Sequence, residues 1–289
     1  MTGLEYQAPA SVDDAVGLLA RFQGDARVLA GGTDLLVQLR SGRLKPGLVV
    51  DVKHIPEMRE IKDAGDHFWV GGAVSCAELG EHEVIGAAWP GVVEASELIG
   101  STQIQGRATP TGNLCNASPA ADSVPAMIAA GARCVIAGPD GRRELPVEQV
   151  QKGPGKNALA KGELVVGFKI PKPAAHSGDA YLRLIPRTEM DIAVVGVGVA
   201  LTVDAGGTVT AARVALGAVA PTALLVGDAA KAIIGSKLDD AALEKLDAAA
   251  RAACKPIDDK RGTVAYRTKI AGVLARRAAK IAYDRARGR

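Results

Sequence analysis

The apolar run Ala26 to Leu29 is followed at once by Ala30-Gly31-Gly32-Thr33-Asp34 and then by an amphipathic segment, Leu35 to Leu39. That order dictates a strand, a tight turn and a helix start, because paired glycines reach backbone angles that other residues resist. It also leaves the first amides of the helix without internal acceptors, at the end where the peptide dipoles favour negative charge. Thr33 and Asp34 then read in either of two ways: as an ordinary N-cap pair, or as part of a cradle of bared amides for an oxyanion.

A second stretch has similar chemistry: Thr109-Pro110-Thr111-Gly112-Asn113-Leu114-Cys115-Asn116-Ala117-Ser118-Pro119-Ala120-Ala121-Asp122. Thr109, Thr111, Asn113, Asn116 and Ser118 offer short side chains that donate hydrogen bonds, and Pro110 and Pro119 stiffen what reads as a loop. Asp122 precedes an apolar helix opening, Ser123-Val124-Pro125-Ala126-Met127. It is either the cap of that helix or an acceptor for a ribose hydroxyl. Together the two stretches point to one diphosphate-bearing cofactor held between them.

The rest of the chain divides by pattern. Ser11 to Ala20 begins with an N-cap serine and carries apolar residues at helical spacing. Leu48 to Val52 and Phe68 to Val74 read as strands, and Ser75-Cys76-Ala77-Glu78 opens a helix with capping-box spacing. Such alternation predicts a mixed α/β domain. Cys134 to Ala137, the turn Gly138-Pro139-Asp140-Gly141 and Arg143 to Val147 form a hairpin signature. The polar, Pro-rich segment Pro171 to Gly178 sets the expected domain boundary, giving domains 1–176 and 177–289. In the second, strands at Tyr181–Ile185, Ile192–Leu201 and Val209–Leu216 predict a three-stranded antiparallel sheet. Two helices, Leu238 to Cys254 and Val264 to Arg285, close the chain. The last has an apolar stripe of Ile270, Val273, Leu274, Ala278 and Ile281 and a basic C-terminal side.

Several function classes drop out. A net charge of +3 with 3% aromatic residues does not supply the concentrated basic face or stacking rings of a nucleic-acid binder. No segment approaches the ~20 uninterrupted apolar residues of a membrane helix. The N-terminus lacks the basic start and apolar core of a secretory signal, so the expected location is cytoplasmic. Cys76, Cys115, Cys134 and Cys254 lie too far apart for a cluster or zinc site, so no metal ligands are expected. Gly153-Pro154-Gly155-Lys156 fails as a triphosphate loop because Val150 and Asn157 stand where Gly and Ser or Thr are needed. Gly196-Val197-Gly198 lacks the third glycine of a dinucleotide fingerprint. His82-Glu83 has Gly86 where a zinc protease needs its second histidine. With no acid, base or nucleophile motif, no catalytic residue is assigned, and the chemistry is expected to reside on a cofactor.

The two glycine-bearing stretches resemble those of the FAD-binding subunits of molybdenum hydroxylases, the family of carbon monoxide dehydrogenase medium subunits and xanthine dehydrogenase flavin domains. The first is similar to the family's Ala-Gly-Gly-Thr/His-Asp/Ser signature. The second is similar to Thr-Ile-Gly-Gly-Asn followed by Ala-x-Pro-x-x-Asp. Gly162-Glu163-Leu164-Val165, Arg187 to Ala193, Leu216 to Thr222 and Tyr266 to Leu274 extend the resemblance along the whole chain, in order. Two departures stand out. Pro110-Thr111 replaces Ile-Gly, which removes one N–H and one freely rotating residue. Arg183 stands where many relatives carry lysine, exchanging a compact ammonium for a planar fork.

The resemblance implies an α+β chain. Its N-terminal part is a two-part mixed α/β FAD-binding domain, PCMH-like, of the vanillyl-alcohol oxidase type. Its C-terminal part has a three-stranded antiparallel sheet and helices. It implies one FAD, with Ala30, Gly31, Gly32, Thr33, Asp34, Thr109, Thr111, Gly112 and Asn113 around the pyrophosphate. Asn116 and Asp122 are implied at the ribose and ribityl region, Val165 against the isoalloxazine and Arg183 at its edge. The implied partners are an iron–sulfur subunit and a molybdopterin subunit, in a dimer of heterotrimers. Electrons arrive singly from the cluster subunit and leave in pairs to NAD⁺, oxygen or a quinone. A self-sufficient flavin oxidoreductase and a flavin-free scaffold are the alternatives.

Overall fold

The computed structural model describes residues 3–288. Strands β1 (Glu5–Gln7), β2 (Ala26–Leu29) and β3 (Leu48–Asp51) form a parallel sheet in the order β1-β3-β2. Helices α1 (Val12–Arg21) and α2 (Leu35–Arg40) make the crossovers. Ser11 caps α1, its hydroxyl accepting from the Asp14 N–H, and Val12, Ala15, Val16 and Leu19 face the core. The apolar burial continues from β3 into the next segments: Leu48, Val50, Val52, Ile55, Met58 and Val166 are all enclosed in one cluster.

A five-stranded antiparallel sheet follows. Its strands are β4 (Ile61–Asp63), β5 (His67–Gly71), β6 (Arg133–Gly138), β7 (Gly141–Pro146) and, beyond the small hairpin of β8 (Gln151–Gly153) and β9 (Lys156–Asn157), β10 (Leu164–Pro171). The order is β4-β5-β10-β6-β7. Between β5 and β6 runs a helical excursion: α3 (Cys76–Gly80), α4 (Glu83–Ala88), α5 (Pro90–Glu97), α6 (Thr102–Gln105), α7 (Pro110–Cys115) and α8 (Ser123–Ala129). The capping box at Ser75 and Glu78 forms as the spacing predicts. The strand expected from Phe68 to Val74 stops at Gly71, because the chain turns there against Met58; a Cβ on Gly71 would lie 2.4 Å from the Met58 backbone.

The C-terminal part is a sheet of β11 (Ser177–Leu184), β12 (Val195–Val203), β13 (Val209–Gly217) and a two-residue β14 (Leu224–Leu225), in that order and antiparallel. Helices α9 (Gly227–Ile233), α10 (Asp240–Ala252) and α11 (Val264–Arg287) cover one face. The short β14 adds a fourth strand to the three that the pattern predicts, and α9 has no sequence signal of its own.

The buried face of α11 is Ala271, Leu274, Ala275, Ala278, Ala279, Ala282 and Ala286, whereas Ile270, Val273 and Ile281 flank it. The apolar stripe read from the larger residues is thus rotated from the true contact face. Small side chains win because the helix lies almost on the sheet: a Cβ at Gly178 would meet the Ala282 carbonyl oxygen at 2.2 Å. The other face of the same sheet receives α8, where a Cβ at Gly198 would fall 2.6 Å from the Pro125 carbonyl oxygen. Through α8 the two parts of the chain share apolar contacts, with Tyr181, Ala200, Ala215 and Ala223 in the cluster that holds Val124, Met127 and Ile128.

Candidate functional site

The turn after β2 and the segment around α7 face one another across a cleft of about 900 Å³. Ala30, Gly31, Gly32, Thr33 and Asp34 line one side, and Thr109, Thr111, Gly112, Asn113 and Asn116 the other, and the apolar Val165, Met58 and Ile99 line it as well. The cleft lies within the size range of small-molecule and cofactor sites. Asp122 and Arg183 are not among its lining residues.

The first arm is built for backbone donation. Gly32 has φ +82, a conformation that favours glycine, and Gly31 packs so closely on the 107–108 backbone that a Cβ would lie 2.0 Å from the Arg107 carbonyl oxygen. Among the described residues, the N–H groups of Gly31, Gly32, Thr33 and Asp34 donate to no protein acceptor, while the Gly32 and Asp34 carbonyls start α2. Asp34 occupies the N-cap position without a side-chain cap bond, and desolvation by the surrounding walls raises its carboxyl pKa.

The second arm is not the loop its composition predicts. Pro110 sits at the first helical position of α7, where its missing N–H costs nothing, and the Thr109 hydroxyl accepts from the Gly112 N–H at 2.9 Å. The Thr109 carbonyl takes the Asn113 N–H. Those two amides are therefore occupied within the protein. Thr111 supplies what remains, an N–H and a buried hydroxyl oxygen that have no partner among the described residues. Asn113 Oδ1 accepts from the Ser123 N–H and hydroxyl, which ties α7 to α8, and Asn116 Oδ1 accepts from Gln38 on α2 at 3.3 Å. Through that last bond the two arms touch.

Several lining residues carry no signal of their own in the sequence. Pro154 and Gly155, from the segment rejected as a triphosphate loop, form the tip of the β8–β9 hairpin and wall the cleft, held by a bond from the Gly155 N–H to the Ala117 carbonyl. Arg43 and Lys161 also line it, and neither is in an ion pair among the described residues. The acid Glu163 is neutralised by Arg143 at 2.7 Å. Unpaired cations, free amides and an unpartnered buried hydroxyl fit a diphosphate. Cys115 lines the same cleft, its thiol pushed up to about 12 by burial and so neutral.

Asp122 and Arg183 meet each other instead, outside the cleft. Arg183 Nη1 donates to Asp122 Oδ2 at 2.8 Å, and the Tyr181 hydroxyl donates to Asp122 Oδ1 at 3.0 Å. Burial raises the Asp122 carboxyl to about 6, against the opposing pull of Arg183 and Tyr181. The wall of the cleft is further stitched to the C-terminal part: the Ala218 N–H donates to the Pro119 carbonyl, and Gln151 bridges the Ser118 carbonyl and the Ala223 N–H. Among the described residues no group of three or more His, Cys, Asp or Glu is placed to hold a metal, and no helix is long and apolar enough to cross a membrane.

Comparison with known proteins gives a consistent result. The family profile described as the FAD binding domain in molybdopterin dehydrogenase matches residues 2–173, and that of the CO dehydrogenase flavoprotein C-terminal domain matches residues 180–282. The carbon monoxide dehydrogenase medium chain of Hydrogenophaga pseudoflava is 34% identical over 281 residues, covering 97% of each chain. The putative xanthine dehydrogenase FAD-binding subunit of Escherichia coli (strain K12) is 34% identical over 219 residues, covering 75% of this chain and 74% of that one. Among solved structures, a chain of reconstituted CO dehydrogenase from Oligotropha carboxidovorans superposes with a TM-score of 0.93 at 34% identity, covering 99% of this chain and 100% of that one.

Proposed function

The chain belongs to the FAD-binding subunits of the molybdenum hydroxylases, and from that premise we propose that its cleft holds one FAD, with the diphosphate between residues 30–34 and Thr111. It is a flavoprotein subunit of a molybdenum oxidoreductase of the carbon monoxide and xanthine dehydrogenase type. The single observation that carries the site assignment is the convergence on one cleft of four unpaired amides and the unpartnered Thr111 hydroxyl. FAD, when bound, supplies the exchange of single electrons from a metal cluster for a pair passed to an external acceptor.

The residues of the chain bind, orient and shield. Gly31 to Asp34 donate to the diphosphate along the N-terminal end of α2. Thr109 and Asn113 keep α7 in place behind Thr111, with the Gly112 N–H tied to the Thr109 hydroxyl. Ala30 and Asn116 shape the two arms where they meet, and Val165 packs on the ring. Arg183, held by Asp122 behind the wall, places positive charge towards the ring edge.

Large and small partner subunits are implied by the medium-chain relatives. We assign them as a molybdopterin subunit and an iron–sulfur subunit, because among the described residues no group of His, Cys, Asp and Glu side chains is placed to hold a metal, and we expect a dimer of such heterotrimers in the cytoplasm. We place the boundary between the two domains at 176 and 177, in the connection between β10 and β11. The test of the flavin assignment is the visible spectrum of the purified chain. Bands near about 370 and 450 nm, present on purification or after incubation with FAD, support it. Their absence turns the reading to a flavin-free scaffold.

A further inference from the structure

Four carbonyls in the stretch that leaves α7 are each held from another part of the chain. Asn157 Nδ2 donates to the Cys115 carbonyl at 3.0 Å, and the Gly155 N–H to that of Ala117 at 3.0 Å. Gln151 Nε2 donates to the Ser118 carbonyl at 3.2 Å, and the Ala218 N–H to that of Pro119 at 2.7 Å. The first three donors belong to the β8–β9 hairpin and the fourth to the loop between β13 and β14. A helix ends on carbonyls without internal donors, and here tertiary contacts supply them. Cys115, Asn116, Ser118 and Pro119 all line the cleft, so these bonds fix the wall that continues the second arm.

The stretch depends on that grip. Ala117 has φ +53, a left-handed conformation that an alanine keeps only where its surroundings over-determine it. Ala218, which reaches the wall from the C-terminal part, has φ +63. Strained alanines thus stand on both sides of the seam. Gln151 ties the two sides together. It is 6% exposed, and while its Nε2 donates to Ser118 its Oε1 accepts from the Ala223 N–H at 3.1 Å. A carbonyl can only accept and an N–H can only donate, so the two partners fix the orientation of the amide. Gln151 is not among the residues lining the cleft, all of which lie between Leu19 and Val165. Its influence on a bound ligand therefore passes through the wall it holds.

We propose that Gln151 is a positioning residue for flavin binding: it locks the exit of the second arm to the loop of the C-terminal part that carries Ala218 and Ala223, and so holds Thr111 at the diphosphate. The inference rests on the reading that the Thr111 hydroxyl meets the diphosphate. The path is short, since the Asn116 N–H donates to the carbonyl of Gly112, the neighbour of Thr111, at 2.9 Å. The six residues of α7 make too few internal bonds to resist a displacement of their end. A shift at Ser118 is carried into the helix and moves the Thr111 hydroxyl.

The test titrates the full apo chain with FAD and records Kd and melting temperature for the wild type, Thr111→Val, Gln151→Met and the double variant Gln151→Met/Thr111→Val. Methionine keeps the length of the side chain and removes both the donor and the acceptor. The expected result is a fall in FAD affinity of about threefold or more in Gln151→Met, with the double variant binding about as weakly as the weaker single variant. Such non-additivity marks two residues acting on one contact, whereas a lowered folded fraction would multiply the two losses. A smaller fall in Gln151→Met, whatever its melting temperature, overturns the proposal while leaving the Thr111 reading intact. So does a loss in the double variant equal to the product of the single losses. Equal binding by the wild type and Thr111→Val removes the Thr111 reading and the proposal with it. Should Gln151→Met fail to fold, Gln151→Glu decides in its place, because its carboxylate keeps an acceptor for Ala223 and has no donor for Ser118. A non-additive fall in affinity then supports the proposal, and an additive fall or none overturns it.

Discussion

Asp122 and Arg183 form an ion pair of 2.8 Å across the seam between the two domains, with side chains 10% and 6% exposed. The same carboxylate takes the Tyr181 hydroxyl, so a helix that begins beside the cleft and a strand of the second domain are joined by one buried charge. Such a pair costs desolvation as well as gaining attraction. The raised Asp122 pKa says that burial wins.

A pH dependence follows with a definite sign. Because the folded pKa, about 6, lies above the model-compound value of 3.8, the native state binds a proton that the unfolded state has lost. The stability this group contributes is fully present below pH about 4 and is lost as pH rises through about 6. A shift of this size corresponds to roughly 3 kcal/mol. Urea unfolding of the apo chain and of Asp122→Asn at a series of pH values from about 4 to about 7 checks it: the wild-type stability relative to the variant should fall across that window. A difference that stays flat with pH contradicts it.

Arg267 is a second buried charge, 3% exposed, in the first turns of α11. It donates to the Val194 carbonyl and to Asp259, both at 2.7 Å, and reaches the Ala218 and Gly262 carbonyls at 3.4 Å. Three loops hang on this one guanidinium. Arg267→Met is expected to destabilise the chain by about 2–3 kcal/mol, since it leaves the buried Val194 and Ala218 carbonyls without their donor. Chemical denaturation measures this, and a loss under about 1 kcal/mol would place the loops under some other control.

Thr111→Val separates a cofactor contact from a structural one. The hydroxyl has no protein partner, so the apo chain should lose little stability or even gain some. FAD affinity should fall by about fivefold to a hundredfold, the worth of a hydrogen bond to a charged group of about 1–3 kcal/mol. Equal affinities in the two proteins would show that the hydroxyl does not meet the cofactor.

How much of this is legible in the sequence divides along physical lines. Ser11, the Ser75 and Glu78 capping box, and the β6–β7 hairpin are readable because each depends on residues within a few positions of one another. The first arm of the cleft is readable for the same reason. The second arm reads wrongly as a loop, since glycine and asparagine content hides a Thr109 cap and a proline at the first helical position. The pairing of Asp122 with Arg183 is out of reach: it joins residues 61 apart through a domain contact that no local pattern encodes. The rotated face of α11 is hidden because the closeness of helix and sheet is set by Gly178, a residue on another element.

The central claim is that the amides of residues 31–34 and Thr111 enclose one FAD, and the most direct measurement is a titration of the apo chain with FAD alongside Gly31→Ala. Alanine at position 31 would force its Cβ to within 2.0 Å of the Arg107 carbonyl oxygen, so the arm must shift away from its partner. The account predicts one FAD bound per wild-type chain and an affinity lower by about tenfold or more in the variant, with the chain still folded by circular dichroism. Equal binding by both proteins, or none by the wild type, would contradict it.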